Sequence, residues 1–202
     1  MKRFISLFAL ALAMFASPAA FSEIFVYRST MSGPAEAPPN ASPGYGVASI
    51  VIDDVALTMS MTVPFFDLLG TTTAAHIHCC TTEPLLGTAG VATPVPTFPD
   101  FPNGVTTGLY ERTFSLADPA FYNPAFLTAN GGTADSARAA LLAGIAANQS
   151  YLNIHTTLYP AGEIRGFLVA APIPEPSGWA MLALGVTALG VWGRRRRGGS
   201  AA

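Results

Sequence analysis

Two histidines one residue apart, His76 and His78, are followed at once by two adjacent cysteines, Cys79 and Cys80, in the run AAHIHCC. The 202-residue chain has three histidines and two cysteines in all, so this run holds most of its capacity for metal ligation and thiol chemistry. On a β-strand, residues two apart face the same side, about 6.6 Å apart along the strand. His-x-His on a strand therefore offers two imidazoles to one zinc or copper ion. The third histidine, His155, lies in YLNIHTTLYPAGEIRGFL, which also carries Glu163 and Arg165. If the two strands are neighbours, three imidazole nitrogens converge, and Glu163 or a cysteine thiolate is available as a fourth ligand. Magnesium suits such a set poorly because it takes oxygen donors. The same residues also have a purely structural reading. In that reading the histidines fix loops by hydrogen bonding and Glu163 pairs with Arg165, two residues along one strand face.

The cysteine pair has three readings: a vicinal disulfide, two reduced metal ligands, or a bridge between two copies of the chain. Neighbouring trans residues stand about 3.8 Å apart at Cα, below the roughly 4.4–6.8 Å of ordinary disulfides. An oxidising compartment nevertheless favours the vicinal bond. A Cys–His nucleophile fits badly, since a thiol beside a second thiol is readily oxidised. A bridged copper–zinc pair of the superoxide dismutase kind needs more imidazoles than three. The chain is expected to be non-catalytic.

The compartment is written at the two ends. Lys2 and Arg3, an apolar run from Phe4 to Phe15 and small residues up to Ser22 form the pattern of a secretory signal peptide, residues 1–22. At the other end, no charge appears from Gly178 to Gly193, and then Arg194, Arg195, Arg196 and Arg197 stand together. Sixteen helical residues reach only about 24 Å against a hydrocarbon core of about 30 Å, a short span whose arginines stay on the cytoplasmic side. Six of the ten basic residues lie in these ends. The interval 23–171 keeps four arginines against eleven acids, a formal charge of −7. An acidic exported domain of this kind does not bind nucleic acid, whose affinity rests on basic contacts.

The interval 23–171 reads as one domain, all-β and sandwich- or Greek-key-like. Expected strands are Glu23 to Ser29, Gly46 to Ile52, Val55 to Val63, Ala74 to His78, Gly108 to Phe114, Tyr151 to Thr156 and Glu163 to Val169. In the third, Leu57, Met59, Met61 and Val63 alternate with Thr and Ser, the period of a half-buried strand. Asp53-Asp54 supplies a hairpin turn. Thr82 to Gly104, rich in Pro, Gly and Thr, predicts a long loop. One helix is expected over Asp135 to Gln149, where Ala137, Leu141 and Ile145 share a face and Thr133 or Asp135 caps the start.

Two families are suggested by these residues. Pro174, Glu175 and Pro176, followed by a short apolar helix and an arginine cluster, resemble the PEP-CTERM sorting signal of Gram-negative bacteria. That resemblance implies transient anchoring of segment 172–202 in the inner membrane. It also implies processing by an exosortase, a membrane cysteine transpeptidase, and delivery to the cell surface or extracellular matrix. STMSGPAEAPPNASPGYGVASIVIDD, AHIH and YLNIHTTLYPAGEIRGFL together resemble the CHRD domain, a module named for its repeats in chordin. The resemblance implies an immunoglobulin-like β-sandwich with a non-catalytic binding or structural role at the surface, toward a protein or polysaccharide partner. The chain departs from the family at Cys79 and Cys80, where Gly and a small residue are common, and at Phe167, where Gln is common. The alternative is a copper- or zinc-binding or redox protein built on His76, His78, His155 and the cysteine pair.

Overall fold

The computed structural model describes residues 24–171 together with Val186 and Thr187. The expected signal peptide and nearly all of segment 172–202, with its Pro-Glu-Pro and arginine motifs, lie outside the described residues. Among the described residues no helix is long and apolar enough to cross a membrane. Contacts divide the chain into two units, Met1–Ala170 and Ala171–Ala202, and the described fold is that of the first.

Eight strands form it: β1 (Ile24–Ser32), β2 (Tyr45–Asp53), β3 (Thr58–Phe66), β4 (Thr72–His78), β5 (Gly108–Ser115), β6 (Tyr151–Thr156), β7 (Ile164–Phe167) and β8 (Val169–Ala170). They make one antiparallel sheet in the order β4-β6-β7-β1-β2-β3-β5, with β8 also paired to β1. Alternation dictates what each strand buries. On β2, Ala48, Ile50 and Ile52 are buried, and on β3 Met59, Met61, Val63 and Phe65. Ile77 of β4, Leu152 and Ile154 of β6 and Ile164 of β7 belong to the same apolar cluster as these. Strands from opposite ends of the order share one core, so the sheet curls on itself into the sandwich-like, all-β body that the sequence predicts. Each large side chain buried there contributes roughly 1.5–3 kcal/mol.

Two helices, α1 (Pro124–Ala129) and α2 (Ala134–Ala146), sit between β5 and β6. Helix α2 starts in a capping box: Thr133 Oγ1 accepts from Ser136 N at 3.1 Å and Ser136 Oγ accepts from Thr133 N at 3.3 Å. Its buried stripe is Ala137, Leu141, Gly144 and Ile145. Helix α1 escaped the sequence reading because it is six residues long, although Asn123-Pro124 is a good start signal.

Several boundaries differ from expectation, β3 also running on to Phe66 and β4 starting at Thr72, and three of the differences have a visible cause. Val55 lies in the β2–β3 turn, where Asp53 Oδ1 accepts from the amides of Val55 and Ala56, and Leu57 has a φ of 52°. Strand β1 runs on to Ser32 because β2 pairs with its whole length. The last expected strand breaks at Leu168, whose amide donates to Ser150 O, and β8 then pairs with β1 instead. The long loop is as expected, apart from two isolated bridges, and it protects the free edge of β4. Ala92 N donates to Ile77 O, Cys79 N to Gly90 O and Phe98 N to Ala75 O.

Candidate metal centre

Strand β4 pairs with β6 so that Ala74 faces His155, His76 faces Asn153 and His78 faces Tyr151. With Ala75, Ile77, Leu152 and Ile154 in the core, alternation turns His76, His78, Tyr151, Asn153 and His155 to the opposite face. Three imidazoles thus meet across two neighbouring strands. One ring nitrogen from each of His76, His78 and His155 lies within 4.8 Å of the others. A planar set at metal distances would have its nitrogens about 3.5 Å apart, so a short rotation of the rings closes the gap. His76 is buried, 7% exposed, and the other two are half-buried.

The hydrogen bonds fix each tautomer. His76 Nε2 bonds Pro96 O at 2.6 Å, His78 Nδ1 bonds Ala89 O at 2.9 Å, and His155 Nδ1 bonds Pro160 O at 3.0 Å. A carbonyl only accepts, so each of these nitrogens carries the proton and donates. The other nitrogen of each ring, His76 Nδ1, His78 Nε2 and His155 Nε2, must then hold a bare lone pair. All three are shielded from solvent and have no hydrogen-bond partner. Burying an unmatched acceptor costs about 1–3 kcal/mol. With one nitrogen of each ring within 4.8 Å of the others, such a set of acceptors is suited to a cation. Imidazole ligands of metals characteristically donate their second N–H to a carbonyl or carboxylate, and every ring here does so.

Burial holds all three imidazoles below their ordinary titration range, His78 at about 4, because desolvation penalises the charged ring. The carbonyl bonds work against that shift. The positive charge of Arg165 adds a further depression at His78. Arg165 and His78 lie on either side of Tyr151 in the strand order. The His78 and Tyr151 rings stack with centroids 4.8 Å apart, and the guanidinium lies 4.8 Å from the Tyr151 centroid. Arg165 is held by Ala35 O at 2.5 Å and Gly87 O at 3.0 Å.

Glu163 is not part of this group. Its Oε1 accepts from Ser42 Oγ at 2.6 Å and Leu69 N at 2.6 Å, and its Oε2 from Gly70 N at 3.0 Å and Thr156 Oγ1 at 2.7 Å. Burial would raise its pKa, but these four bonds outweigh it and hold the carboxyl below its usual range. Its role is to tie β7 to two loops. The expected Glu163–Arg165 pairing is likewise replaced. Arg165 Nε lies 3.9 Å from Glu36 Oε2, and Asn153 Nδ2 donates to both Glu36 oxygens at 3.0 and 3.2 Å. Cys79 and Cys80 are bonded to each other and leave no thiolate for a metal. Cys79 turns to the core, and the pair rests on α2 at Gly144, where any Cβ would strike both sulfurs.

Sequence reasoning missed Tyr151 and Asn153, though the period of two on β6 places them on the His155 face. It could not find Glu36, because 117 residues separate it from Asn153. These contacts join distant runs of the chain. Glu36 and Ser42 come from the first quoted segment, and Asn153, Glu163 and Arg165 from the last.

Fold and site together define an all-β module with a buried polar face and a three-imidazole cluster. The CHRD domain model matches residues 27–168, and the chain belongs to that family. Among curated proteins and solved structures, none matches the chain. Family membership points to a non-enzymatic module with a binding role.

Proposed function

We propose that this protein is an exported, non-catalytic CHRD module that binds one copper or zinc ion through His76 Nδ1, His78 Nε2 and His155 Nε2. The observation that carries the reading is the convergence of three unpartnered, solvent-shielded lone pairs on neutral rings. The sequence alone ranks surface binding ahead of metal binding; the three lone pairs are what supports the metal reading. When bound, the metal supplies a fixed positive charge that pairs the three nitrogens. The chain's own residues do the rest: Ala89, Pro96 and Pro160 carbonyls set the tautomers, and Tyr151 packs flat against His78.

Elemental analysis tests this on protein recovered from the exported fraction without added metal or affinity histidines. One copper or zinc per chain is expected, lost in His76→Ala and His155→Ala. A metal-free protein whose folding is unchanged by chelator would return the histidines to a structural role. Export and sorting belong to the same proposal and rest on the end segments: the basic–apolar–small leader, then Pro-Glu-Pro with its apolar run and four arginines. Mass spectrometry of the cell-surface form is expected to find a mature start near Glu23 and loss of the tail beyond Pro176. A mature protein retaining Arg194 to Arg197 would sink the sorting reading.

A further inference from the structure

We propose that the three-histidine site selects monovalent copper, Cu(I), over zinc and over divalent copper. The inference rests on the metal-site reading above and adds the charge and coordination number of the ion. Three separate observations lead to it.

The first is the donor set. All three ligands are neutral imidazoles, and among the described residues none of the neighbouring carboxylates and sulfurs is free to join them. Glu163 is saturated by four donors, Glu36 is engaged by Asn153 and Arg165, and both sulfurs are spent in the disulfide. A divalent ion would keep its full double charge in a buried place. The Born cost of burying an ion grows with the square of its charge, so it is about fourfold greater for a dication than for a monocation.

The second is enclosure. The three lone-pair nitrogens are shielded from solvent although two of their rings are half-buried at the surface. Zinc in protein sites is almost always four-coordinate, and with three protein ligands it takes water or an anion as the fourth. Divalent copper prefers a tetragonal set of four or more donors. Nitrogens that are themselves shielded from solvent disfavour both. A d¹⁰ monovalent copper ion is satisfied by three nitrogens in a plane.

The third is the neighbouring charge. The Arg165 guanidinium lies against Tyr151, whose ring stacks on His78. Positive charge at that position repels a dication twice as strongly as a monocation.

The test is a set of three titrations on the full exported chain stripped of metal. One is anaerobic, with Cu(I) in competition against a colorimetric Cu(I) chelator. A second uses Zn(II) against a zinc indicator, and a third, in air, uses Cu(II) against a Cu(II) chelator. One Cu(I) per chain is expected, at least a hundredfold tighter than zinc, with X-ray absorption at the copper edge giving three nitrogen neighbours and no fourth light atom. His78→Gln, which keeps a polar side chain of similar reach, is expected to weaken Cu(I) at least tenfold while circular dichroism stays unchanged. Zinc or Cu(II) bound one per chain, as tightly as Cu(I) or more so, would overturn this inference and leave the proposed function standing. No binding of any of the three ions by a folded protein would overturn both.

Discussion

Strands β4 and β6 are buried on both faces, and the two faces are buried by different physics. On one side Ala75, Ile77, Leu152 and Ile154 pack into the common core, where stability follows area and shape. On the other lie Tyr151, Asn153, Arg165 of the neighbouring β7 and the three histidines, and each imidazole N–H has a main-chain acceptor. The core face is redundant, since many side chains share the load. The polar face is a closed account in which the only acceptors left over on the imidazoles are the three that point at one another. A set of buried, unpartnered lone pairs on neighbouring imidazoles is a better guide to function than the histidine count alone.

The largest effect should come from the core face. Ile77→Ala is expected to cost about 2–5 kcal/mol in urea unfolding while leaving metal stoichiometry intact in the folded fraction. Next comes Glu163→Gln, which puts an amide donor among four donors. A loss of about 2–3 kcal/mol is expected, with no change in the bound ion. Equal damage to metal binding would mean that the two polar regions are one site. Gly144→Ala should cost about 1–3 kcal/mol despite the better helix propensity of alanine, because the Cβ meets the disulfide. In the metal-free protein His76→Ala should cost about 1 kcal/mol or less, since a lost hydrogen bond is offset by a removed orphan lone pair. The same variant should erase the thermal stabilisation that metal gives, about 4 kcal/mol at a thousandfold excess over Kd.

The smallest effect is the pH slope, and it separates the histidines from Glu36. The three imidazoles titrate below 6.5 in the fold, so the unfolded chain takes up protons first as pH falls. Their contribution to metal-free stability is full above 6.5 and drains away as pH falls below it, for His78 down to about 4. Glu36 has the opposite sign. Burial raises it from 4.5 to about 7, against the pull of Arg165, so its contribution is present below 4.5 and lost as pH rises through 7. Urea midpoints from pH 5 to 8 should therefore rise more steeply with pH in Glu36→Gln than in the wild type. An unchanged slope would place Glu36 in water.

Much of the fold was legible because alternation is a local signal. The Met59-Met61-Val63 stripe, the bounds of β6 and the Ala137-Leu141-Ile145 face of α2 all follow from periodicity. Leu57 and Val55 were misplaced because a side-chain cap on Asp53 ends the ladder earlier than hydropathy suggests. In the site, His76, His78 and His155 were found by residue type and spacing. Glu163 was wrongly offered as a ligand because its carboxylate is consumed by partners at Ser42, Leu69 and Gly70, far away in sequence. The carbonyl acceptors were invisible, since any residue can present one.

The main-chain origin of these acceptors governs how the protein can change. The acceptors that orient the imidazoles belong to the backbone of Ala89, Pro96 and Pro160, not to their side chains. Substitutions along these loops leave the acceptors in place, whereas insertion or deletion of a single residue moves them. The site is therefore insured against most point mutations and exposed to changes of loop length, so its history in related chains should be recorded in gaps more than in letters.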